Sequence, residues 1–155
     1  MNNNTPGAES LRYLDDLKAG DRFLSPRHTI DEVQIKSFAA QFDPQPFHLD
    51  DEAAKATLFG GLAASGWHTA AITMRLLVDG LPLAGGIIGA GGEITWPKPT
   101  RPGDVLQVES EVVSVTPSRS RPDRGMVVVR YETRNQQGDV LQLSVFKLVV
   151  PRRPS

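Results

Sequence analysis

The chain has 155 residues, enough for one domain that buries roughly two-thirds of the surface its unfolded form would expose. Its formal net charge is −1 and its pI about 6.3, so global electrostatics give no case for nucleic acid or an anionic membrane as partner. It has no cysteine, which excludes disulfides, thiolate catalysis and cysteine-ligated metal centres.

No apolar run approaches the roughly 18 residues of a membrane span. The start, Met1-Asn2-Asn3-Asn4-Thr5-Pro6-Gly7, is polar and lacks the basic and apolar regions of a signal peptide. The expectation is a cytoplasmic protein, with residues 1–9 a disordered leader, 10–151 one domain and 152–155 a tail.

Ala19-Gly20-Asp21 reads as a turn into a short strand, Arg22 to Thr29. Thr29 followed by Glu32 matches a capping box, and Ile35, Phe38, Ala39 and Phe42 follow at helical spacing. Pro44 disfavours helical geometry at Asp43, so the helix ends there. Asp50 or Asp51 is placed to cap a short helix through Ala53-Ala54-Lys55-Ala56. A third helix is predicted from about Ala63 to Val78. It is so apolar, with so many small side chains, that it is expected to be buried and closely approached by other backbone. Asp79-Gly80-Leu81-Pro82 stops it.

The second half is strand-like. Gly85 to Trp96 is apolar and Gly-rich, and Gly89-Ala90-Gly91-Gly92 within it lacks the lysine of a phosphate loop. Those glycines are expected to let the strand bend or approach the helix. Val105 to Val115, Met126 to Arg134 and Val140 to Val150 alternate as half-buried antiparallel strands. In the last, Leu141, Leu143 and Val145 share one parity and Gln142 and Ser144 the other. Asn135-Gln136-Gln137-Gly138-Asp139 is a hairpin connection by composition, and Pro117 to Gly125 a longer loop. One long helix followed by long strands predicts an α+β domain in which a curved antiparallel sheet wraps the helix, with another α/β sandwich topology as the rival.

Chemistry concentrates in Asp43-Pro44-Gln45-Pro46-Phe47-His48-Leu49-Asp50. A carboxylate and an imidazole five positions apart can share one water or substrate proton. The two prolines between them are expected to hold an extended, turn-like connection. Alone, Asp43 reads as a helix-ending turn residue and His48 as a hydrogen-bonded, partly buried side chain. Together, and with Gly66 eighteen residues after His48 in Ala64-Ser65-Gly66-Trp67, they read as a catalytic pair. Asp50 reads as a cap, His68 as structural and His28 as a surface residue. A metal triad of His48, Asp50 and His68 or His28 lacks a second clear ligand pair, so no metal is expected. Arg119, Arg121 and Arg124 read as a solvated loop, with a weaker alternative of contacting coenzyme A phosphates.

These residues resemble the MaoC-like dehydratase family, which includes the (R)-specific enoyl-CoA hydratases. The family pattern Asp-x-Asn-Pro-x-His-x-Asp is met by Asp43, Gln45, Pro46, His48 and Asp50. Phe59-Gly60 and Ala64-Ser65-Gly66 match its later turn, and Trp96 to Asp104 its link into the outer strands. The similarity runs from about Leu14 to Val150. Two positions depart from it: Gln45 stands for asparagine and Ser65 for histidine.

The resemblance implies a single hot-dog domain and a hydratase or dehydratase acting on a 2-enoyl or 3-hydroxyacyl thioester. Asp43 and His48 would hold the water, and the Gly66 N–H would face the thioester carbonyl. Gln45, Ser65 and Trp67 are the expected substrate-binding residues. It implies no cofactor beyond coenzyme A as part of the substrate, no nucleic-acid or membrane partner, and a homodimer or higher homo-oligomer. An open apolar edge at Gly85–Trp96 gives the dimer a physical motive. Two alternatives stay open: a hot-dog acyl-CoA thioesterase, and a non-catalytic acyl-thioester-binding subunit.

Overall fold

A computed structural model describes residues 10–155; the expected leader, 1–9, lies outside the described residues. After a 3-10 turn at Leu14–Asp16 come β1 (Arg22–Thr29), α1 (Glu32–Phe42), α2 (Pro46–Leu49), α3 (Asp51–Lys55), α4 (Gly66–Gly80), β2 (Ile88–Thr95), β3 (Val105–Pro117), β4 (Arg124–Arg134) and β5 (Val140–Pro151). The five strands form one antiparallel sheet in the order β1-β3-β4-β5-β2, and α4 packs against β1, β3 and β5. This is the hot-dog arrangement.

Strand alternation builds the core. On β3, Leu106, Val108 and Val112 point inward, and on β4 Val127, Val129 and Tyr131 do so, meeting Ile72, Leu76 and Leu77 of α4. Burying an aliphatic side chain of this size stabilises by about 1.5–3 kcal/mol. At the end of α4, a β-carbon on Gly80 would lie 2.7 Å from Ser25 Cα, so glycine there lets the helix meet β1 backbone directly.

Several local expectations change. Asp31, not Thr29, caps α1: its carboxylate accepts from Gln34 N–H at 2.8 Å, while Thr29 is still paired with Val105 in the sheet. Between Asp43 and His48 the chain is not extended, because Pro46 sits in the first turn of the short helix α2, where its missing N–H and fixed φ are tolerated. Helix α4 begins at Gly66 rather than Ala63. Ala63 and Ala64 are held outside it by bonds to the Phe47 and Thr100 carbonyls. Nor is α4 buried all round: Trp67, Ala71, Met74 and Val78 form an exposed stripe.

On β5 the parity is the reverse of the simple pattern. Gln142 and Ser144 point inward with Leu148 and Val150, and Val145 points out. The glycines of β2 carry a bulge between Gly89 and Gly91. Gly92 allows close approach to β5 rather than to the helix, since a β-carbon there would lie 2.4 Å from the Val145 carbonyl oxygen.

Candidate active site

Asp43 is the C-cap of α1. Its N–H donates to the Ala39 carbonyl at 2.9 Å, and Pro44 turns the chain out of the helix. Two residues on, Gln45 is the extended N-cap of α2, and its amide donates to Asp43 Oδ1. The turn of α2 then carries His48 inward, where it is only 4 % exposed.

His48 is held at both nitrogens. Nδ1 lies 2.7 Å from the Ala63 carbonyl oxygen, and Nε2 lies 3.3 Å from Asp43 Oδ2. A carbonyl only accepts, so Nδ1 carries a proton. In neutral imidazole, Nε2 then presents a lone pair beside the carboxylate. Two acceptors side by side suit one shared donor, and a water has two O–H bonds to give them. Phe47 packs edge-on against the ring at 4.5 Å, and Phe59 at 5.7 Å.

Burial pushes the Asp43 carboxyl up, but the Ser65 hydroxyl, the Gln45 amide and the charge of His48 together hold it below the usual carboxylate range. Asp43 is therefore an ionised acceptor at neutral pH.

A cavity of about 310 Å³ opens at this pair, lined among others by Asp43, His48, Phe59, Gly66, Trp96 and Thr100. Gly66 is the first residue of α4, so its N–H belongs to the first turn, whose donors have no partner within the helix. Ser65 caps the helix, accepting from Trp67 N–H at 3.2 Å. A larger hollow of about 500 Å³ lies over β1, β3 and β4, but its charged side chains are paired with each other, as in Arg22–Glu111 and Arg130–Glu132. The chemistry belongs to the smaller cavity, which holds the buried imidazole.

Asp43, His48 and Gly66 thus come together, and Trp67 lines the same cavity. Gln45 and Ser65 lie behind Asp43 and touch it rather than the cavity. Asp50 is a cap, accepting from the N–H groups of Glu52 and Ala53. His68 is buried and stacks on Phe38 at 4.5 Å. His28 is half-buried rather than on the open surface, because the first turn of α1 lays Gln34 against it at 2.8 Å. None of Arg119, Arg121 and Arg124 lines the cavity; Lys98 does, paired with Asp139 at 3.0 Å.

Sequence reasoning missed three supports. Arg101 reaches the carbonyls of Phe59, Gly61 and Leu62, and Asp51 accepts from Leu62 N–H at 3.0 Å, so both clamp the loop that carries Ala63. Trp96 lies over Gly66, and its indole N–H donates to Gln142 at 3.0 Å. The signal for Arg101 was an arginine between two prolines, Pro99 and Pro102, in a chain where loop cations are otherwise free to solvate.

Fold and site geometry together define a hot-dog protein whose polar loop meets the start of the central helix. More particularly, the chain belongs to the MaoC like domain family, which matches residues 18–135. It is 35% identical over 127 residues to the uncharacterized protein YdeM of Bacillus subtilis strain 168, an alignment spanning 80% of this chain and 88% of that one. Over 110 residues it is 30% identical to the 3-hydroxybutyryl-CoA dehydratase of Methylorubrum extorquens, spanning 70% of this chain and 69% of the relative. The crystal structure of the MaoC-like dehydratase from Rhodospirillum rubrum matches with a TM-score of 0.91 at 64% sequence identity, covering 93% of this chain and 99% of that one.

Proposed function

We propose that this protein adds water to a 2-enoyl thioester, or removes it from the 3-hydroxyacyl thioester, with coenzyme A as the carrier. The observation that carries this reading is the convergence of Asp43 Oδ2 and His48 Nε2, 3.3 Å apart, on a cavity that Gly66 also lines. Kinship with a 3-hydroxybutyryl-CoA dehydratase supports the substrate class.

In the hydration direction, water held by both acceptors attacks the β-carbon and gives up a proton to the pair. The electrons of the double bond move toward the thioester carbonyl, and the enolate oxygen develops charge. The Gly66 N–H, at the positive end of a 15-residue helix, stabilises that oxygen. The proton is then delivered to the α-carbon, so the balance is the addition of one water. Asp43 and His48 act as a coupled pair.

The same reading includes a homodimer. Strand β2 is at the sheet edge, pairing with β5 alone, and the α4 stripe of Trp67, Met74 and Val78 is exposed. An unpaired edge beside an apolar stripe favours a second copy over solvent.

Incubation with crotonyl-CoA tests the chemistry. Loss of the conjugated-thioester absorbance with formation of 3-hydroxybutyryl-CoA is the expected result. Release of free thiol instead would assign a thioesterase, and no turnover across acyl chain lengths would overturn the enzyme reading.

A further inference from the structure

We propose that Ser65 is a positioning residue for Asp43, its hydroxyl tying the carboxylate to the start of α4 so that the proton-accepting pair and the Gly66 N–H are held as one unit. The proposal rests on the hydration chemistry above for its catalytic meaning, though its structural core does not.

Ser65 is 1 % exposed, and its Oγ accepts from Trp67 N–H. A hydroxyl has two lone pairs and one proton. Capping the helix uses a lone pair, which leaves the proton to donate, and Asp43 is the carboxylate it meets. Capping alone does not require serine, because aspartate or asparagine caps a helix as well. Aspartate would set a second anion against Asp43, and asparagine would need more room in a fully buried place. A hydroxyl serves both neighbours from one atom.

The wider consequence concerns the four residues Ala63 to Gly66. The Ala63 carbonyl orients His48, the Ser65 hydroxyl orients Asp43, and the Gly66 N–H lines the cavity. Ala64 N–H donates to the Thr100 carbonyl at 2.9 Å, which pins this stretch to the segment that follows β2. One short piece of chain therefore sets the relative placement of all three functional groups. Misplacement by about 1 Å costs on the order of a hundredfold in rate. Gln45, holding the other side of the carboxylate, completes the grip.

The test compares wild type with Ser65→Ala and Ser65→Thr. The Asp43 carboxyl is followed by carbon-13 NMR as pH is lowered, and kcat and KM for crotonyl-CoA are measured across pH. In Ser65→Ala the titration moves upward toward ordinary aspartate and the acidic limb of kcat/KM moves with it. There kcat falls about tenfold, the scale of one hydrogen bond to a charged group, with KM changed far less. Ser65→Thr restores both. Should Ser65→Ala not fold, Ser65→Cys, with a similar shape but a weak donor, gives the same comparison. An Asp43 titration identical in wild type and the Ala or Cys variant overturns the proposal. Because the titration needs no turnover, a wild type inert toward enoyl thioesters refutes the hydration reading separately.

Discussion

The indole of Trp96 occupies the space that a β-carbon on Gly66 would need: such an atom would lie 2.9 Å from Trp96 Cε2. Gly66 is therefore glycine for room rather than for an unusual backbone angle, as its φ is not in the positive region. The consequence is testable. Gly66→Ala is expected to destabilise by about 1–3 kcal/mol through overpacking and to cut turnover at least tenfold, as the ring is driven toward the cavity. Adding Trp96→Leu should recover much of the melting temperature. Thermal denaturation and the crotonyl-CoA assay read the two effects.

Asp43→Asn and His48→Gln are each expected to lower kcat by about a hundredfold or more, the usual scale of acid–base contributions. Circular dichroism should show both variants folded, since neither side chain belongs to the apolar core. Near wild-type turnover in either would remove the pair from the mechanism.

Arg101 holds three carbonyls of the loop that ends at the His48 partner Ala63. A lysine there keeps the charge but cannot fork across them. Arg101→Lys should lose about 1–3 kcal/mol of stability, as buried acceptors go unpaired. It should also reduce turnover although Arg101 does not line the cavity. Urea denaturation together with kcat measures both; an unchanged midpoint would mean the clamp is unimportant.

Burial, and next the charge of His28, hold His68 below its ordinary value of 6.5. The folded protein therefore keeps His68 neutral where the unfolded chain binds a proton. Its stability is fully present above about pH 6.5 and falls as pH drops through the interval down to the lowered folded value. The depressed Asp43 carboxyl acts in the same direction but in a lower window, below the ordinary carboxyl value of 3.8. Denaturation midpoints at pH 7.5 and pH 5 should differ in wild type and differ less in His68→Gln. Equal differences in the two proteins would place the acid sensitivity elsewhere.

For the dimer, Met74→Glu combined with Val78→Glu puts two charges on the exposed stripe of α4. Light scattering is expected to give dimer mass for the wild type and monomer mass for this variant. A monomeric wild type at micromolar concentration would refute the proposed homodimer.

The α+β class, the order of its elements and the meeting of Asp43 with His48 were all legible in the chain. Pro44 ends α1, Asp50 caps α3, and the hairpin at Asn135 to Asp139 closes on Gly138, which has a φ of +80°. These depend on neighbours a few residues away, where backbone sterics and side-chain caps act. The family motif added Gly66.

The sequence by itself determined which residue types stand on the acid–base loop and where helices and strands begin and end, to within a turn. Only the tertiary structure decided what each polar group faces. Gln142 and Ser144 turn inward against the simple pattern, and Gln142 gives the Trp96 indole its partner across 46 positions. Ser65 lies against Asp43, and Arg101 spans some forty residues to clamp the loop under His48. The physical reason is that a buried polar atom must be paired, and its partner is set by packing in space, which no local periodicity records.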